Sequence, residues 1–147
     1  MGRDVYEYDK MKQVAIMTAI EQLKLRGENA VQAGKLDRHD VLISGKGVRI
    51  KIKFSKPIQR SSAVDPRWEF TKIIHKSRLW PQEIYHYYLL MGLSENGGVR
   101  KIWKVSTDDD IIYRKNQIFI PLNKNEDYNK YELDIIYSDS GQLQWIG

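Results

Sequence analysis

The chain predicts an α/β fold, a mixed central sheet with one long N-terminal helix packed on it. Three patterns carry this. Ala15, Ile16, Ala19, Ile20 and Leu23 recur at three- and four-residue spacing, the stripe of an amphipathic helix. In "VRIKIKFS", 48–55, Ile50, Ile52 and Phe54 alternate with Arg49, Lys51, Lys53 and Ser55, the period of a half-buried strand. "IYHYYLLMGLS", 84–94, is an unbroken aromatic and aliphatic run that suits a strand covered on both faces.

In chain order, the helix runs through "DVYEYDKMKQVAIMTAIEQLKLRG", with Gly27 placed as a C′ glycine. After a polar connector, "DVLIS" and "VRIKIKFS" pair as a hairpin across the turn "GKG". "KPIQRSSAVDPR", 56–67, with two prolines and small polar residues, reads as a surface loop. "WEFTKIIHKSRLWPQE", 68–83, has no clear period. The run 84–94 turns at "ENGG" and pairs with "VRKIWKVS", 99–106. "TDDDIIYRK" offers a Thr107 cap with acids in the first turn of a short helix, so the run Asp108 to Asp110 complements a helix dipole. "QIFIPLN" is a later strand. In the tail, Tyr131, Leu133, Ile135 and Tyr137 share a face, as a last strand or an irregular arm. The order of elements gives a sheet with one long helix against it.

One domain, 1–147, is large enough to bury a core. No apolar run nears the roughly 20 residues of a spanning helix, and "MGRDVYEYDKMK" lacks a signal peptide's apolar stretch, so the chain reads as intracellular, in the cytoplasm. Without cysteine there is no disulfide, thiolate metal site or cysteine nucleophile, and His39, His75 and His86 have no zinc spacing. A metal would need oxygen ligands. The net charge of +5 favours a polyanionic partner.

"DVLISGKGVRIKIKFS" resembles the core of the PD-(D/E)XK nuclease superfamily, the restriction-endonuclease-like fold, in which one strand opens on an acid and the next carries an acid-X-lysine triplet. "WEF", "YYLLMGLSENGGVRKIWKVSTDD" and "IFIPLNKNEDYNKYEL" extend the resemblance over residues 5 to 133. It implies Mg²⁺-dependent hydrolysis of duplex DNA. Asp40 and the Ile52 carbonyl would hold the metal, and Lys53 would position the attacking water. Double-strand cutting by so small a domain would call for a two-fold homodimer.

The chain departs from that pattern where it matters. The triplet reads Lys51-Ile52-Lys53, with an ammonium in place of the second acid. At about 4 Å and an effective dielectric near 20, a cation facing Mg²⁺ costs several kcal/mol per unit of metal charge. Three readings follow. The missing acid comes from elsewhere, Glu69 or Glu7, Gln13 or Glu21 of the helix. Or the site has lost its metal and Lys51 contacts a phosphate, leaving a catalytically silent nucleic-acid-binding or assembly module. Or Lys51 and Lys53 are solvated residues on an exposed face. For the partner surface, Lys51, Lys53, Lys56, Arg60, Arg67, Lys72, His75, Lys76 and Arg78 face only Asp65 and Glu69 of opposite sign between 51 and 78, which nominates that segment for phosphate contacts. Gln59, Arg60, Ser61 and Ser62 could reach base edges.

Overall fold

The computed structural model describes residues 2–81 and 85–137. Gln82 to Ile84 of the unassigned segment, and the tail from residue 138, lie outside the described residues. Helix α1 spans Gly2–Leu25. Its stripe of Ala15, Ile16, Ala19, Ile20 and Leu23 is buried. Gly27 takes φ +87°. Its N–H donates to the Lys24 carbonyl at 2.9 Å, and the Glu28 N–H donates to that of Leu23 at 3.0 Å. This paired stop needs a left-handed residue, which glycine adopts without a Cβ clash.

The strands are β1 (Ala30–Gln32), β2 (Val41–Ile43), β3 (Val48–Ser55), β4 (Arg67–Thr71), β5 (Tyr87–Leu93), β6 (Val99–Ser106), β7 (Gln117–Pro121) and β8 (Glu132–Leu133). Six form a sheet in the order β1-β2-β3-β5-β6-β8, and β4 and β7 form a separate two-stranded ribbon. β2–β3 and β5–β6 are antiparallel hairpins, while β3 and β5 run parallel, so the sheet is mixed as the sequence predicts.

Strand alternation sorts the side chains onto two faces. Ile50, Ile52, Leu89, Met91 and Ile102 pack under α1. Tyr88, Leu90, Trp103 and Val105 point the other way, against Trp68, Phe70, Ile118 and Ile120 of the ribbon. The layers are therefore helix, sheet, ribbon. Trp68 lies so close over β5 that a Cβ on Gly92 would come within 2.8 Å of its ring. The Trp68 indole N–H donates to the Leu93 carbonyl at 2.9 Å. The Tyr88 hydroxyl both donates to the Ile74 carbonyl and accepts from its N–H. Burial there pushes its pKa up to about 12.

Three local differences stand out. The polar connector contains β1, and the segment without a period contains β4, where Trp68, Glu69 and Phe70 are buried in succession, so no alternation shows. Thr107 does not cap a helix. It is buried and its hydroxyl donates to the Tyr85 carbonyl at 2.7 Å. Asp109 instead caps a single 3₁₀ turn, Asp110–Ile112, by accepting from the Ile111 N–H. At the tail, Glu132 and Leu133 add a short strand to β6.

Candidate nucleic-acid interface

β2 covers β3 only as far as the pair Val41↔Ile50. One residue earlier, the Asp40 N–H donates to the Ile50 carbonyl. The next inward N–H of that edge, Ile52, donates to Asp40 Oδ2 at 2.8 Å. The carboxylate thus stands in for the carbonyl of a strand that has ended. From the Ile52 carbonyl onward, no described strand pairs with this edge of β3. α1 closes in from one side, with the Tyr8 ring 5.1 Å from that of Phe54. β4 closes in from the other, with the Glu69 N–H donating to Ser55 Oγ at 3.0 Å.

Between them is a pocket of about 280 Å³, lined by Lys12, Lys51, Ile52, Lys53, Glu69 and Lys72 among others. Pairing with Tyr88 and Leu90 places Lys51 and Lys53 on the ribbon face of the sheet. Lys51 is half-buried there. Its Nζ donates to the Arg38 carbonyl at 3.0 Å and lies 3.6 Å from Asp40 Oδ2. Lys53 is half-buried, and burial holds its pKa below the ordinary lysine value, reinforced by the charges of Lys51, Lys72 and Lys12 and opposed by Asp40. Lys72 lines the pocket at φ +56°, the left-handed region, which costs a residue with a Cβ about 1 kcal/mol.

Glu69 is the pocket's carboxylate, and it is fully engaged. Arg60 Nε and Arg67 Nε donate to Oε2 at 3.0 and 2.9 Å, and Arg60 Nη2 donates to Oε1. The Arg60 hydrogen bond holds the Glu69 pKa below the usual carboxylate range, against the upward push of burial and with further help from Arg67. The Arg67 guanidinium also lies over the Phe119 ring at 4.2 Å.

The nominated basic segment therefore divides. Lys53 and Lys72 meet in the pocket, Lys51 lines it while tied to Asp40, and Arg60 and Arg67 serve Glu69. Lys56 lies with Glu7 in a neighbouring pocket against α1. Lys76 lies near His86 and Asp108, and His75 packs edge-on against Tyr113. Arg78 reaches the Ile112 and Lys115 carbonyls at 3.4 Å. Gln59, Ser61 and Ser62 are exposed on the loop. Sequence reasoning missed Lys12. Its signal was there: Tyr8, Lys12 and Ile16 fall at four-residue steps on one helix line, toward the sheet.

Mg²⁺ asks for near-octahedral oxygens, usually one or two carboxylates with water. Here Asp40 Oδ2 is occupied by a backbone N–H and faced by an ammonium, and both Glu69 oxygens are on guanidinium groups. Glu7 and Gln13 are exposed and Glu21 is half-buried on α1. Among the described residues no three His, Cys, Asp or Glu side chains cluster as a metal would need. This donor set does not fit a divalent cation.

The fold has a solved counterpart. A bacterial homing endonuclease, I-Ssp6803I, matches this chain with a TM-score of 0.56 at 12% identity, over 91% of this chain and 86% of that one. The two chains share a fold. No family model and no curated protein sequence matches the chain. Among the described residues no helix is long and apolar enough to cross a membrane.

Proposed function

We propose that this chain binds duplex DNA on a nuclease-like fold, with the pocket at the open edge of β3 as its phosphate-contacting centre. Phosphodiester hydrolysis is then the ancestral chemistry of the site rather than its present one. The carrying observation is the convergence of Lys12, Lys51, Lys53 and Lys72 where Asp40 and Glu69 are both already neutralised by cations of the chain. An endonuclease of the same fold supports DNA as the partner. Contacts of this kind release counterions and give affinity that falls steeply with salt, without reading sequence.

The alternative is an active endonuclease in which Asp40 and the Ile52 carbonyl take Mg²⁺ once DNA is bound, as a homodimer for double-strand cuts. The fold of I-Ssp6803I favours it, while the ammonium of Lys51 beside Asp40 opposes it. Two measurements decide. Duplex binding is titrated across salt with EDTA present, and supercoiled plasmid is incubated with Mg²⁺ or Mn²⁺ using this chain, Lys51→Glu and Asp40→Ala. Salt-steep binding in EDTA with no nicking is expected. Metal-dependent nicking by the unaltered chain, lost in Asp40→Ala, overturns the silent-module reading, and absence of duplex binding at low salt overturns the DNA reading.

A further inference from the structure

We infer that Lys51 is a fixed counter-ion for Asp40 and not a phosphate ligand, so that the pocket receives a DNA phosphate through Lys12, Lys53 and Lys72 without a divalent cation. The inference rests on the DNA-binding reading and assigns the lysines different parts within it.

Asp40 cannot retreat from the site. Its Oδ2 is fixed by the Ile52 N–H at 2.8 Å, and its own N–H is fixed to the Ile50 carbonyl at 2.9 Å. An uncompensated carboxylate held beside the pocket would repel any phosphate that entered. Lys51 supplies the compensation from inside the chain. Its Nζ is held between the Arg38 carbonyl at 3.0 Å and Asp40 Oδ2 at 3.6 Å, with the side chain only 24% exposed. One of its three N–H directions is used on the Arg38 carbonyl, and its charge faces the Asp40 carboxylate as an ion pair. By contrast, the ammonium groups of Lys12, Lys53 and Lys72 line the pocket without a side-chain hydrogen bond or ion pair to a described residue. Three ammonium groups are available to an anion, and the fourth has a task already.

The two possible parts of Lys51 separate in a double-mutant cycle. Duplex affinity is measured in EDTA for Lys51→Met, Asp40→Asn and the pair together, with circular dichroism and a thermal melt as folding controls. If Lys51 serves Asp40, Lys51→Met weakens binding about tenfold, and the pair restores it, because no carboxylate charge is left to compensate. If Lys51 grips phosphate, the pair stays as weak as Lys51→Met, which overturns the inference. Should Lys51→Met fail to fold, Lys51→Gln replaces it in the same cycle, and the same two outcomes decide.

A titration with Mn²⁺ alone, followed by calorimetry, tests the same lock without DNA. The unaltered chain is expected to bind none, and Lys51→Glu is expected to gain a site that Asp40→Asn removes in that background. One-to-one Mn²⁺ binding by the unaltered chain, lost on Asp40→Asn, overturns the inference even if duplex binding persists. If no duplex binds at all, the DNA reading falls, and the Mn²⁺ titration still judges the lock.

Discussion

Glu69 lines the pocket and Asp40 stands beside it, and the two carboxylates are neutralised by different means. Asp40 leans on a backbone N–H and one lysine of the adjacent strand, 3.6 Å away. Glu69, its side chain 3% exposed, is clamped by two guanidinium groups, one arriving from the loop and one from its own strand. The first arrangement is built from neighbours in a hairpin and holds an edge of the sheet in register. The second ties a loop to the ribbon. Both carboxylates face cations of the chain, so the charge left over in the pocket is positive.

The sharpest way to break this contrast is Glu69→Ala. It strands two guanidinium groups, and with Arg60 screened by solvent a loss of stability smaller than for a fully buried pair is expected in denaturant unfolding. The same clamp has a pH signature. The Glu69 pKa lies below the ordinary carboxylate value in the fold, so its contribution is complete above that ordinary value and fades as pH falls through the lowered one. Glu69→Gln should lose that segment of the acid-stability curve, and a curve identical to the unaltered chain's would show the clamp to be energetically silent.

Asp40→Ala comes next. It leaves the Ile52 N–H without its acceptor at a partly covered edge, a loss of about 1 kcal/mol by thermal or chemical unfolding. Faster amide exchange at Ile52, with little change elsewhere in β3, would place the effect at the strand edge.

The smallest stability effect, and of opposite sign, belongs to Lys53→Met. The fold disfavours protonated Lys53, since burial and three neighbouring lysines hold its pKa down. That cost is present at neutral pH and is relieved as pH rises from the lowered pKa toward the unfolded value. Methionine should therefore raise the melting temperature slightly while lowering the salt slope of duplex binding by about one contact. A variant that gained stability and kept the full slope would remove Lys53 from the phosphate contacts.

What could be read in advance was what the chain places close together. The stripe of α1, the hairpin of β2 and β3, and the nearness of Asp40 to Lys51 all depend on neighbouring residues. β4 escaped because it pairs with β7, some fifty residues on, and because its three buried residues in succession erase alternation. The Glu69 clamp escaped with it: Arg60 and Arg67 counted as free cations until the ribbon brought them onto one carboxylate. Lys12 belonged to a helix read for its apolar stripe. Thr107 looked like a cap because Ser and Thr before acids usually are, and the competing partner, the Tyr85 carbonyl, lies on another segment.

The unfinished pairing of β3 has a colloidal consequence. A strand of Ile50, Ile52 and Phe54 whose last residues pair with β5 on one edge and with no described strand on the other offers backbone groups of that edge to another extended chain. Lysines there make such docking between copies electrostatically costly, as charged gatekeepers do on open sheet edges. Variants that remove several of these lysines at once should accordingly show self-association in light scattering, and more of it as salt screens the charges that remain.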